Sequence, residues 1–262
     1  SAGQERADVK LSGEVLASLK KGGKLIAADC HNRMGNGLLD FGLMAEKDNT
    51  RFFKNTAVQK EVNAQATQTY YTFACGPVDL RLKFTAPVLM DNLDVMTRPV
   101  NYLTYEVTST DGAEHEVELY LEAGNQWAID APGQATVSEA GTHAGMKYAK
   151  VGSVEQPVLK KKGDDVRIDW GYFYLTDPQG KAIVTTAEGT EMRRAFIDGS
   201  IQTGNEKPGH TKLCMNYPLG RGKQQEGYVM LAYDDVYSIQ YFGQNLRPYW
   251  NRNGNETIFT QL

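Results

Sequence analysis

The chain has 262 residues, 41% of them apolar and 23% charged, enough to bury a sizeable core without help from metal or disulfides. Its 28 Lys+Arg against 32 Asp+Glu leave a formal charge of -4, which offers a phosphate backbone no general attraction and argues against nucleic acid as a partner. Three cysteines, Cys30, Cys75 and Cys214, are odd in number and far apart, so they spell neither a disulfide framework nor a zinc ribbon. No run of about 18 apolar residues exists to span a membrane. The start, Ser1-Ala2-Gly3-Gln4-Glu5, lacks the basic and apolar regions of a signal peptide.

In chain order, residues 13–21 suit a short helix and Lys24 to Ala28 a strand, followed by a further strand at Thr69 to Cys75. Val78, Leu80, Leu82 and Phe84 alternate with Asp79, Arg81, Lys83 and Thr85, which predicts a half-buried antiparallel strand. Leu103, Tyr105 and Val107 repeat the pattern, and Val117, Leu119 and Leu121 resume it after Asp111-Gly112. Asp-Gly between two alternating runs predicts a hairpin, because glycine accepts positive φ.

Met146 to Val151 reads as another strand. Lys160-Lys161-Lys162-Gly163-Asp164-Asp165 reads as a solvated charged turn. Val166, Ile168, Trp170, Tyr172 and Tyr174 form the longest set on one face. Asp177-Pro178-Gln179-Gly180 then turns the chain into a returning strand from Lys181 to Thr186. Glu188 to Ile197 is a short helix candidate, and Gly227 to Tyr233 and Tyr237 to Phe242 are strands. The expected fold is all-β, a large antiparallel β-sandwich.

Catalytic chemistry is not legible. His31, His115, His143 and His210 stand alone, with no partner at metal-ligand spacing, so neither a metal nor any other cofactor is expected. Adjacent residues of an extended chain face opposite ways, which argues against a thiol-imidazole pair at Cys30-His31. The same alternation separates the carboxylates of Asp234 and Asp235, better explained as the end of a strand than as an acid/base pair. Trp127 and Trp170 are candidate sugar platforms, but Trp170 is in phase with Val166 and Ile168 and so reads first as core.

The most unusual segment is the last. Tyr233, Tyr237, Tyr241, Phe242, Tyr249 and Trp250 interleave with Asp234, Asp235, Gln240, Gln244, Asn245 and Arg247, the mixture of an interface or a cleft wall. Tyr241, Arg247, Tyr249, Trp250, Asp234 and Trp127 are therefore the candidate cleft or interface residues. The apolar ending Ile258-Phe259-Thr260-Gln261-Leu262 has no closing motif and is expected to continue in the natural polypeptide.

Several stretches resemble the N-terminal domain of the glutaminase A family of bacterial glutaminase-like proteins. These are Gly76-Pro-Val-Asp-Leu-Arg-Leu-Lys-Phe-Thr-Ala-Pro-Val-Leu, Asn92-Leu-Asp-Val-Met-Thr-Arg-Pro-Val-Asn-Tyr-Leu-Thr-Tyr, Ser109-Thr-Asp-Gly, Val117-Glu-Leu-Tyr, Trp127-Ala-Ile-Asp, Asp169-Trp-Gly-Tyr and Tyr237-Ser-Ile-Gln-Tyr-Phe. The resemblance runs from about Leu11 to Leu262. It implies a secreted or periplasmic protein whose β-supersandwich, of galactose-mutarotase type, precedes a helical six-hairpin barrel, an arrangement shared with several glycoside hydrolases.

On that basis residues 1–245 form the supersandwich and 246–262 begin a linker toward the helical barrel, which is absent from this chain. The hydrolysis of glutamine to glutamate and ammonia implied by the resemblance belongs to the whole protein. This chain is expected to be a non-catalytic module that packs on the barrel and helps to shape its cleft, with an amino acid or a sugar as the small-molecule partner. The rival reading is a carbohydrate-binding or accessory module of a glycosidase-like enzyme, since fold does not settle function.

Overall fold

The computed structural model describes residues 53, 55–164, 166–201 and 212–262. The expectations for residues 13–21, for the strand at 24–28 and for Cys30, His31 and His210 lie outside these residues.

Among the described residues eleven strands build two antiparallel sheets, as the period-two alternation requires. They are β1 (Val58–Ala64), β2 (Gln68–Cys75), β3 (Val78–Thr85), β4 (Val100–Ser109), β5 (His115–Gly124), β6 (Thr136–His143), β7 (Met146–Ser153), β8 (Tyr172–Asp177), β9 (Ile183–Ala187), β10 (Lys212–Gly222) and β11 (Gln224–Asp234). The larger sheet has the order β1-β2-β3-β4-β11-β8-β7-β6 and the smaller the order β5-β10-β9. A separate ribbon pairs β12 (Ile239–Tyr241) with β13 (Gln244–Leu246). Among the described residues helices are few: α1 (Leu93–Met96), α2 (Gly189–Ile197) and α3 (Ile258–Gln261), with 3-10 turns at Asn125–Ala128 and Tyr249–Asn251. The fold is all-β and sandwich-like.

The main core lies between the two sheets. Leu103, Ala149, Val151, Phe173, Leu175 and Val229 of the larger sheet meet Val184, Leu213, Met215 and Tyr217 of the smaller. Burying side chains of this size stabilises by about 1.5–3 kcal/mol each. The opposite face of the larger sheet carries Val100, Tyr174, Met230 and Ala232, and Ile258 of α3 covers them. Phe259 adds edge contacts to Tyr148 and Tyr174, with ring centroids 4.9 and 5.9 Å away. Residues 258–262 thus pack on this face of the sheet.

Turn chemistry located the turns, but the sheets distribute the strands differently from the hairpin reading. Asp111-Gly112 does turn the chain, with Gly112 at φ 76, yet β4 pairs with β3 and β11 while β5 pairs with β10. The chain crosses from the larger sheet to the smaller there, and β10 to β11 recrosses beside it, where Ser109 N–H donates to Lys223 C=O at 2.8 Å. The turn at 177–180 is likewise a crossing, because β9 pairs with β10 and not with β8. Asp177, fully buried, closes it by accepting from the N–H groups of Gln179 and Ala182 at 3.0 and 2.6 Å.

The run from Val166 to Tyr174 is strand only from Tyr172 onward, because Gly171 at φ 77 breaks it. Nor is the lysine-rich turn merely solvated. Lys161 reaches Asp130 at 2.6 Å and Asp169 at 2.8 Å, and Asp169 is only 1% exposed.

Candidate functional site

At the end of β11 the sequence places two carboxylates, then a residue that must turn sharply. Val236 takes φ 58, an uncommon conformation for a β-branched residue, and its N–H is held by Asp234 Oδ1 at 3.0 Å. Asp235 accepts from the Ser238 hydroxyl at 2.5 Å. Two bonds from elsewhere clamp this turn: the Trp170 indole N–H donates to Tyr237 C=O at 2.9 Å, and the Tyr233 hydroxyl donates to Trp170 C=O at 2.7 Å. Gly171 fits because it has no Cβ, which would stand 2.0 Å from Asp234 O. Gln156 braces the same glycine, accepting from its N–H at 2.7 Å and donating to its C=O at 3.1 Å.

Beyond the turn, β12 and β13 form a ribbon whose tip is Phe242-Gly243, both at positive φ (45 and 78). Two-residue hairpin loops with two positive φ values favour Asn-Gly, and an aromatic side chain in the first position is unusual. Phe242 is 90% exposed and Tyr241 61%. The chain then returns through Arg247 and Pro248 to the 3-10 turn, where Tyr249 is exposed and Trp250 buried. α1 lies beside that turn, tied by the Arg252 to Asp94 pair at 3.0 Å, and the loop before it exposes Val88, Leu89 and Met90.

Between these elements opens a cleft of about 380 Å³, walled by Pro99, Tyr233, Asp235, Ser238, Tyr249 and Trp250 among others. Burial raises the Asp234 carboxyl above its ordinary value and the charge of Asp235 adds to this, while the Val236 N–H and Arg247 oppose the shift. Arg247 stacks over the Tyr237 ring at 5.1 Å and packs beside Gly254.

The structure therefore gathers Asp234, Tyr241, Arg247, Tyr249 and Trp250 into one corner but gives them different surroundings. Trp250 is packed within the domain, while Tyr241, Arg247 and Tyr249 face outward. Trp127 lies in the 3-10 turn after β5. One face of its indole stacks on the buried Phe173, with centroids 5.4 Å apart and planes 15° off parallel, and 63% of the residue is exposed. Trp170 is part-buried as a clamp.

Sequence reasoning missed a second polar group on the outer face of the smaller sheet. Glu122 binds Arg193 through both oxygens at 2.5 and 3.0 Å and accepts from the Tyr120 hydroxyl at 3.0 Å. Burial opposes ionisation of Glu122, yet these partners and Lys212 hold its pKa below the ordinary value. Burial also pushes the Cys214 thiol up to about 11, and both Cys75 and Cys214 are free. Among the described residues no group of three or more His, Cys, Asp or Glu is placed to hold a metal ion.

The fold and this corner define a β-sandwich module with an aromatic, carboxylate-bearing edge. Residues 67–261 match the family described as Domain of unknown function (DUF5127), and the chain belongs to that family. It is also 22% identical over 210 residues to Glutaminase A of Aspergillus oryzae (strain ATCC 42149 / RIB 40), a match that covers 79% of this chain. The match spans 30% of the length of that relative. Among the described residues no helix is long and apolar enough to cross a membrane.

Proposed function

We propose that this chain is the N-terminal, non-catalytic β-sandwich module of a glutaminase-like hydrolase, and that its C-terminal corner packs on a helical barrel domain of the same polypeptide and helps to shape the cleft there. The observation that carries this is the ribbon tip: a phenylalanine 90% exposed, on a backbone conformation that disfavours it, is a feature that stability of this domain alone does not explain. Tyr241, Tyr249 and the Val88 to Met90 loop are exposed as well, and Tyr241 touches the Phe242 ring. The longer relative, most of which lies outside the match, supports a polypeptide with room for a further domain. The same reading assigns the protein to the periplasm or the medium.

In the test, this chain and the remainder of the natural polypeptide are expressed separately and assayed for ammonia release from glutamine. This chain alone should release none. It should bind the remainder, and the mixture should turn over glutamine faster than the remainder does. Turnover by this chain alone, or no association at all, would overturn the proposal.

Trp127 favours a second reading, an accessory carbohydrate-binding module. Its indole is pinned on one face and open on the other, the geometry on which the apolar face of a sugar ring stacks. Saturable binding of oligosaccharides, abolished in Trp127→Ala, would establish it.

A further inference from the structure

We infer that the cleft between the β11 turn and the Tyr249–Asn251 turn is a binding site for a small molecule bearing a primary ammonium group. The corner around it already holds cations in two places. Arg247 lies 5.1 Å over the Tyr237 ring and exerts a stabilising charge on Asp234. Arg252 lies 4.1 Å over the Tyr249 ring and 3.0 Å from Asp94. Each arginine thus combines an aromatic face with a carboxylate, the pairing that best compensates a cation taken partly out of water.

Asp235 is the third carboxylate of the corner. It accepts from the Ser238 hydroxyl but forms no ion pair among the described residues, and it opens on the cleft rather than on an arginine. Tyr233, Tyr249 and Trp250 line the same cleft. The cleft therefore brings a carboxylate together with aromatic residues, as at the two arginines, around about 380 Å³ of space. That volume is at the small end of ligand pockets, which run from about 300 to 1,000 Å³.

The charge of the walls decides the ligand class. Asp235 is the charged residue of the lining, so carboxylates and phosphates are disfavoured. A neutral polyol can bond to Asp235 and Ser238 but gains little from the negative faces of the rings, whereas an ammonium group gains from both. The site shares Tyr249 with the proposed packing edge, but every group it uses belongs to the described residues of this chain, so it is tested on this chain alone whether or not the packing reading holds.

The experiment titrates this chain with benzylammonium chloride, benzyl alcohol and glucose, following heat of binding and tryptophan fluorescence. Benzylammonium should bind saturably, and both neutral probes on the order of tenfold or more weaker. Asp235→Asn, which preserves shape, should weaken benzylammonium binding on the order of tenfold. Tyr249→Leu should weaken it several-fold, and it reads the site through a different side chain if the first variant fails to fold. The inference is overturned if benzylammonium shows no saturation, if benzyl alcohol or glucose binds as tightly, or if the folded variants bind benzylammonium as the parent chain does.

Discussion

The indole N–H of Trp170 and the carbonyl of Tyr237, 67 positions apart in sequence, are joined at 2.9 Å, and this bond fixes the turn that ends β11 to the segment that begins β8. Gly171 sits beside it in a conformation, φ 77, that L side chains rarely adopt, facing Asp234 O. Gly171→Ala should therefore cost about 2–4 kcal/mol, from backbone strain and from the displacement of Asp234 and Asp235. Trp170→Phe keeps most of the packing but leaves the Tyr237 carbonyl without its donor, at a cost of about 1–2 kcal/mol. Urea unfolding of both variants checks these values, and the larger loss should belong to the glycine.

Arg193 and Glu122 should form a stabilising pair with an acid-side limit. The forked contact is half-buried and charge-assisted, so Arg193→Met should cost about 1–2 kcal/mol. Glu122 has its folded pKa below the ordinary 4.5, so its contribution is present above pH 4.5 and is lost as pH falls through the folded value. Thermal unfolding from pH 7 down to pH 3 should show the gap between parent and Arg193→Met closing toward the acid end.

Asp234 should show the opposite sign. Its folded pKa lies above the ordinary 3.8, chiefly because of burial, so the folded state binds the proton more tightly than the unfolded chain. The resulting penalty is absent below pH 3.8 and fully present once the pH exceeds the folded value, so stability falls as pH rises between them. Asp234→Asn keeps the acceptor for the Val236 N–H and removes the charge. Its Tm should equal or exceed that of the parent at pH 7, with the difference vanishing below pH 3.8. A lower Tm at pH 7 would show that the attraction of Arg247 outweighs burial.

Period-two alternation made the strands legible. Leu80, Leu82 and Phe84 share a face because they pair with Val107, Tyr105 and Leu103 of a neighbour that alternates in the same phase, with Val78 opposite Ser109 at the end. Partition into sheets was not legible, because Asp111-Gly112 and Asp177 to Gly180 encode a change of direction, and the same turn serves a hairpin or a crossing between layers. The corner residues could be grouped from their composition. Their separation into a buried Trp250 and an exposed Tyr249 could not, since adjacent positions in an irregular turn carry no period. The bridge from Lys161 to Asp130 and Asp169 was hidden for a related reason: a charge run looks solvated until a partner far along the chain is brought beneath it.

Phe242 should separate stability from association. Its φ of 45 at the first position of a two-residue loop suits asparagine better than an aromatic residue, and its side chain is almost wholly in solvent, meeting only the neighbouring Tyr241 ring edge-on at 4.5 Å between centroids, so little in this domain compensates the strain. Phe242→Asn should leave the isolated chain as stable as the parent or up to about 1 kcal/mol more stable. If the chain belongs to the longer polypeptide proposed above, the same change there should loosen the contact between this module and its neighbour, seen as faster proteolysis between the two and as lower cooperativity of thermal unfolding. Tyr241→Ser at the adjacent exposed ring should act in the same direction. If Phe242→Asn destabilises the isolated chain by about 1 kcal/mol or more, the ring contributes to this domain after all. If the longer polypeptide is unaffected by both changes, the ribbon is not where the module meets its partner.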